Sequence, residues 1–282
     1  MASADVQHAR SLSETGWEAS IELGFSRRNE RTVLAEKRQY GPLTVQRSFY
    51  PEGDVCHLYL LHPPGGIAGG DRLEVQVTTH LQSHALITTP GAAKFYRSIG
   101  PTAFQTQQFH LAGGCLEWLP QENIFFPGAR VDMLTEINLS DNANYIGWEI
   151  HCLGRPVIDE RFGHGQLISK TAVKRDGVPM LIDRLVIDGE HSLDGKATLR
   201  GQPVTATLIA SAADCEVRDA ARDAIAASSS PDIGVTLVAD ILVCRYLGGS
   251  TEDARKRFIR IWQAIRPLLT QRPAVLPRIW AT

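Results

Sequence analysis

Apolar residues fall at every second position from Leu73 through Val75 to Val77, and again through Val131, Met133, Ile137 and Leu139. This period belongs to strands with one buried face. Residues 18–25, 33–38, 43–49, 56–61, 84–89, 103–110, 144–151, 166–174, 178–187, 203–210 and 235–243 also read as strands. Clusters of Gly, Pro, Asn and Asp separate them at hairpin-like spacing. The period changes to that of a helix twice. Val217, Ala220, Ala221, Ala224 and Ile225 share one helical face, with Ser211 and Asp214 available as caps. Ala254, Phe258, Ile261, Trp262 and Ile265 form a second stripe, from about Thr251 to Ile265. Ser250 with Asp253 fits a capping box there, and Pro267 is expected to end or bend the helix. The pattern predicts a mainly β, α+β-arranged protein. Its architecture is expected to be a large multi-stranded antiparallel, β-helix-like or sandwich one, with two helices in the C-terminal third. Residues 1–16 are polar and aperiodic and predict a flexible tail; 17–282 predict a single domain, within which Ser228–Pro231 is the best linker candidate.

Composition narrows the function classes. The chain of 282 residues is 43% hydrophobic and 21% charged, enough for a substantial core. Its 29 basic and 31 acidic residues balance, unlike a dedicated nucleic-acid binder. The C-terminus is locally basic: Arg255, Lys256, Arg257, Arg260, Arg266, Arg272 and Arg278 face only Glu252 and Asp253. That reads as a solvated helix face or a partner surface. Cys56, Cys115, Cys152, Cys215 and Cys244 form no Cys-x-x-Cys pair, which argues against structural zinc and for buried reduced thiols. No run approaches the ~20 apolar residues of a membrane span, and no secretory leader is visible, so a cytoplasmic location is expected.

Two loops carry the strongest local signals. Residues 62–71 read HPPGGIAGGD, and 88–98 read TTPGAAKFYRS. Gly65, Gly66, Gly69 and Gly70 permit positive φ or close backbone passage, as docking requires. Phosphate binding is excluded by motif: Asp71 stands where a P-loop needs lysine, and Ile67 where a dinucleotide fingerprint needs glycine. Lys94, Tyr96 and Arg97 alternate around Phe95 and could form a basic, aromatic docking patch. Phe125 and Phe126, beside Pro127-Gly128, fit a core or an interface anchor equally well.

These two blocks resemble the UreD (UreH) family of urease accessory proteins. Residues 116–129, LEWLPQENIFFPGA, resemble its third block, and Gly154-Arg155-Pro156 and Pro277-Arg278-Ile279-Trp280 fit as well. The resemblance runs from about Gly24 to Trp280. It implies a non-enzymatic maturation factor that binds apo-urease, recruits UreF-like and UreG-like (GTPase) partners, and helps pass nickel to the urease active site.

Side-chain chemistry read independently gives no catalytic set. There is no nucleophile elbow, and Cys152 and His151 point to opposite faces of a strand. Cys115 follows Gly113-Gly114, which reads as turn chemistry. Free carboxylates leave a carbohydrate-active β-sandwich hydrolase or lectin as the alternative. Glu149 and His151 share a strand face, either toward solvent, the ordinary case, or toward a polar interior channel. Asp71, in a loop expected to be uncrowded, and Asp183, beside Arg184 in an apolar strand, complete the candidates. Imidazole and carboxylate suit Ni²⁺, so Asp71, Glu149, His151 and Asp183 are expected to give a weak, transient nickel path, with no tightly bound cofactor.

Overall fold

The computed structural model describes residues 16–226 and 232–281; the expected tail apart from Gly16, and the linker candidate, lie outside them. The described chain opens with an antiparallel hairpin of β1 (Glu18–Arg28) and β2 (Arg31–Tyr40). It then winds between two sheets. β3 (Thr44–Val45) and β4 (Cys56–Leu61) lie in the second sheet, β5 (Arg72–Thr79) in the first, and β6 (His84–Thr88) in the second again. After the short β7 (Ala93–Phe95), β8 (Ala103–Ala112) joins the first sheet and β9 (Cys115–Trp118) the second. After the short β10 (Asn123–Phe125), β11 (Arg130–Ser140) and β12 (Asn144–Arg155) repeat the crossing. β13 (Glu160–Arg161) pairs with the end of β12, and the hairpin of β14 (Gln166–Arg175) and β15 (Val178–Asp188) closes the first sheet. Past the short α1 (Gly189–Asp194), β16 (Val204–Ala210), α2 (Cys215–Ala226), β17 (Ile233–Val238) and β18 (Ile241–Gly248) complete the second sheet and start the helical layer, which α3 (Thr251–Thr270) finishes.

The protein is mainly β, as expected, but its interior pairing is parallel. The first sheet runs β15-β14-β11-β8-β5-β1-β2, and the pairs from β14 to β1 are all parallel. The second places β4, β6, β9 and β12 side by side, again parallel. Antiparallel hairpins are confined to the flanks. The physical reason is the winding: each strand returns to its sheet only after crossing to the other, so it returns in the same direction. Alternation along one strand says nothing about its neighbour's direction.

Three layers result. The inner faces of both sheets enclose one core, including Phe25, Val77, Phe109, Ile137 and Leu153. The second sheet's outer face carries Ile146, Trp148 and Ile150 of β12 against Phe258, Ile261 and Trp262 of α3. The predicted stripe of α3 is that contact. Ser250 caps it by accepting from the Asp253 amide at 3.2 Å. Asp214, not Ser211, caps α2, accepting from the Val217 amide at 3.0 Å; the Ser211 hydroxyl is buried and accepts from the Tyr145 amide. Pro267 does not end α3. The helix runs on to Thr270 and stops at Gln271, whose φ is 57°. Asn144 donates to the Leu269 carbonyl at 3.2 Å and fixes this last turn. The expected strand 235–243 is two strands, because Ala239, at φ 52°, turns the chain between β17 and β18. The expected strand 43–49 is only Thr44–Val45 plus a bridge from Phe49 to His57.

One buried polar cluster bolts α3 to the sheet. Glu117, fully buried on β9, receives His84 Nε2 at 2.6 Å, Trp262 Nε1 at 2.5 Å and Arg266 Nε at 3.0 Å. Arg266, also fully buried, reaches Glu52 at 2.8 Å and the Pro273 carbonyl. Arg272 pairs with Asp54 at 2.6 Å, and Arg257 with Asp253 at 2.9 Å. Much of the C-terminal basic excess is therefore spent inside the molecule rather than on a solvated face. Trp280 likewise packs on Trp148 and Trp262 and donates to Thr88 Oγ1 at 3.0 Å.

Candidate functional site

The inner core is interrupted by a band of polar side chains. On the first sheet, Gln107, Thr135, Thr171 and Asp183 are register neighbours on β8, β11, β14 and β15. On the second, Glu149, Thr207 and Arg245 are register neighbours on β12, β16 and β18. The two rows meet across the sandwich where Thr135 Oγ1 donates to Glu149 Oε1 at 2.6 Å, and where Arg245 Nη1 lies 3.0 Å from Asp183 Oδ2. Gln105, Ser169, His151 and Thr205 lie one pleat further along the same strands.

Three of the four expected nickel-path residues thus converge. Glu149, His151 and Asp183 line one cavity of about 90 Å³. Glu149 also lines a second, of about 140 Å³, beneath the glycine loop, with His62, Gln105, Gln107, Gln121 and Asn123. The strand face that could have been solvent is the interior one, since His151 is only 5% exposed. Its Nε2 lies 3.6 Å from Glu149 Oε2 and 3.4 Å from the Ser169 hydroxyl, and its Nδ1 lies 3.5 Å from Asn123. Burial pushes the imidazole down to about 4, so it is neutral at neutral pH and keeps a lone pair. Burial raises the Glu149 carboxyl, against the Thr135 hydrogen bond, and the nearby Asp183 raises it further. Asp183 pairs with Arg245, not with adjacent Arg184, which points to the opposite face. Among the described residues no group of three or more His, Cys, Asp or Glu is arranged to hold a metal ion.

Asp71 stands apart from this band. It is buried rather than uncrowded, and both carboxylate oxygens are occupied: Oδ1 accepts from the Trp17 amide at 3.2 Å and Oδ2 from the Ala68 amide at 2.7 Å. It ties the glycine loop to the start of β1.

The glycines serve a close approach within the chain. A Cβ on Gly66 would sit 1.9 Å from the Tyr96 ring, and one on Gly69 would sit 2.2 Å from Ser98 Oγ. Gly65 and Gly70 adopt positive φ, at 69° and 95°. The Ile67 amide donates to the Lys94 carbonyl at 2.7 Å, and the Tyr96 amide to the Ile67 carbonyl at 2.8 Å, so the first block lies along the second. The second pairs with the third through β7 and β10, which pairs with β12. Phe95 and Phe125 stack in the core at 4.9 Å, so Phe125 is structural. Tyr96 and Phe126 meet edge to face at 5.0 Å nearer the surface, and the Arg155 guanidinium covers Phe126. Lys94 and Arg97 are exposed. The surface here also carries Ile99, 96% exposed, and Val157, 97% exposed.

The cross-strand polar rows escaped the sequence reading. Gln105, Gln107, Ser169 and Thr171 occupy inward positions of period-two strands, a signal that could have located the band once the inward face of each strand was chosen. Among the described residues no helix is long and apolar enough to cross a membrane.

The family model for the UreD urease accessory protein matches residues 18–281. The urease accessory protein UreD of Alcanivorax borkumensis is 47% identical, with 95% of this chain and 93% of that protein covered. Its counterpart in Citrobacter koseri is 47% identical over 95% of this chain and 92% of the relative, and that of Aliivibrio fischeri 42% identical over 96% and 98%. With a match that spans nearly all of the chain, and with relatives this similar from end to end, the chain belongs to the UreD family of urease accessory proteins.

Proposed function

We propose that this chain is a non-catalytic scaffold of urease maturation that binds apo-urease and, with UreF-like and UreG-like partners, passes Ni²⁺ through its polar interior band toward the urease active site. Membership of the family supports the accessory role and favours it over a carbohydrate-active sandwich. The observation that carries the nickel reading is the band itself. Polar residues are costly inside a β sandwich, yet this core holds Glu149, His151 and Asp183 around one cavity that adjoins another. A neutral imidazole, a Glu149 carboxyl hydrogen-bonded to Thr135 and an Asp183 carboxylate already paired with Arg245 offer an ion partial contacts without trapping it, which is what passage requires. The exposed apolar surface around Tyr96, Ile99 and Val157 is the place for a protein partner.

The test is co-expression with urease subunits and the UreF- and UreG-like partners. Glu149→Ala, His151→Ala and Asp183→Ala are each expected to leave the complex recoverable by co-purification, with urease nickel-poor and less active. Variants that yield fully nickel-loaded urease would make these residues bystanders. Variants that lose the complex together with activity would assign them to an interface.

A further inference from the structure

The chamber beneath the glycine loop differs in chemistry from the one at His151. Its volume is about 140 Å³, and Leu43, Leu60, Ile67, Leu73 and Val75 give it largely apolar walls. Four side chains of the same lining, Gln105, Gln107, Gln121 and Asn123, end in primary carboxamides, and all four are buried. Gln105 and Gln107 alternate on the inward face of β8, Asn123 opens β10, and Gln121 lies just before it. A carboxamide is neutral and carries donors and an acceptor together. Gln121 is engaged by Arg255, and Asn123 stands 3.5 Å from His151 Nδ1, two groups outside the chamber lining.

Among the described residues, three that line the chamber carry a buried polar atom without a hydrogen-bond partner. Gln107 Oε1 is an acceptor, Trp118 Nε1 a donor, and His62 Nε2 either one according to tautomer. Gln107 is 4% exposed and Trp118 3%, so solvent does not satisfy them. Buried polar groups in folded proteins are nearly always paired, because leaving them unpaired is costly. Water serves this chamber poorly. At ~30 Å³ a molecule, about four or five would fill it, and those against Leu60, Ile67, Leu73 and Val75 would lack the roughly two to four polar partners a buried water needs. Charge serves it poorly too. Among the described residues of the lining there is no Lys or Arg, burial lowers His62 so that the ring is neutral at neutral pH, and Glu149, the one carboxyl, already accepts from Thr135. An apolar body with a few convergent polar groups is the usual form of a small-molecule pocket, and exposed Gly65, Pro90 and Gly91 form its rim.

We propose that this chamber is a binding site for a small neutral primary carboxamide with a compact alkyl body. The match is one of numbers. A primary carboxamide offers one oxygen acceptor and two N–H donors, and the chamber offers one donor, Trp118 Nε1, and two acceptors, Gln107 Oε1 and neutral His62 Nε2. A carboxylate or a ketone supplies no donor, and an amidinium no acceptor. The alkyl part lies on the Leu60, Ile67, Leu73 and Val75 wall. The site does not depend on nickel passage, which rests on Glu149, His151 and Asp183, so its failure leaves that reading intact.

The test uses the full chain at neutral pH and isobutyramide, close in size to the benzene that fills an apolar cavity of about 150 Å³. Saturation-transfer NMR titrations compare it with three molecules of the same shape: isobutyrate, isobutyramidine and methyl isopropyl ketone. Isobutyramide is expected to bind at least about tenfold more tightly than each of them, since a polar site left unpaired rejects the analogue that lacks the matching group. Gln107→Met keeps similar volume and removes the acceptor; it is expected to weaken isobutyramide by about tenfold and to leave the ketone unchanged. Should the variant melt early, the wild-type series decides, with a shift of the Trp118 indole N–H resonance on adding isobutyramide to locate the site. No binding of isobutyramide, equal binding of amide and ketone, or unchanged affinity in folded Gln107→Met overturns the proposal.

Discussion

Replacing Arg266 by methionine should be among the most damaging single changes in the C-terminal helix. The side chain is fully buried and contacts two carboxylates, Glu117 at 2.9 Å and Glu52 at 2.8 Å. Methionine fills similar volume, so the loss is electrostatic rather than a cavity. Glu117 keeps His84 and Trp262, and Glu52 keeps His57, but both carboxylates lose the guanidinium between them. Breaking a buried pair by removing one partner costs about 3–5 kcal/mol. With unfolding entropy near 2.1 cal/mol/K per residue, that lowers the melting temperature of a domain this size by about 5–9 °C. Guanidinium denaturation followed by tryptophan fluorescence suits the measurement, because Trp262 donates to the same carboxylate. The double variant Glu117→Gln, Arg266→Met should recover much of the loss, since no unpaired charge then remains on β9. A single variant within about 1 kcal/mol of wild type, or a double variant whose cost is the sum of the two singles, would refute the account of a charge-paired bolt.

Stability should also depend on pH through the same cluster. His84 is raised from 6.5 to about 10, so its contribution is complete below pH 6.5 and is lost as pH rises through 10. Glu117 is lowered from 4.5 to about 2, so its contribution is complete above pH 4.5 and is lost as pH falls through 2. His84 is raised by neighbouring Cys115 as well as by Glu117, and the part the two groups share is one contact that does not add; denaturation midpoints from pH 6 to 10 should fall more steeply for wild type than for His84→Asn, and equal slopes would count against a charged His84. Gly69→Val with Gly70→Val should abolish urease activation in cells while circular dichroism keeps its β signal, because a Cβ on Gly69 meets Ser98 and Pro101 and Gly70 sits at φ 95°. Normal activation would remove the loop from the mechanism. Expressed alone, the chain should be less soluble than when co-expressed with the proposed UreF-like partner, and aspartate at both Ile99 and Val157 should narrow that difference; no change on either count would deny that this surface docks a protein.

The chemistry of the candidate site was only half visible along the chain. Glu149 and His151 were paired on one strand face by period alone, and the structure keeps them together. Whether that face met water or the other sheet was not decided locally, because one strand cannot show what covers it. Asp71 illustrates the opposite error. After two glycines a carboxylate looks free, yet the amides of Trp17 and Ala68 close on it, and Trp17 is 54 positions away. Asp183 found its partner in Arg245, 62 positions on, and not in its neighbour.

What the sequence determined by itself was local. Period two placed strands such as β5 and β11 on their buried faces, period 3.6 placed the stripe of α3, and motif spacing ruled out phosphate binding at the glycine loop. These follow from the geometry of a single element, whose side chains repeat at fixed intervals. Only the tertiary structure decided strand direction, the burial of Glu149 and His151 in a two-sheet polar band, the packing of the glycine loop against Tyr96 and Ser98, and the assembly of His84, Trp262 and Arg266 on Glu117. Each is a contact between residues far apart in the chain, set by how the strands wind from one sheet to the other, and no interval along the sequence encodes that crossing.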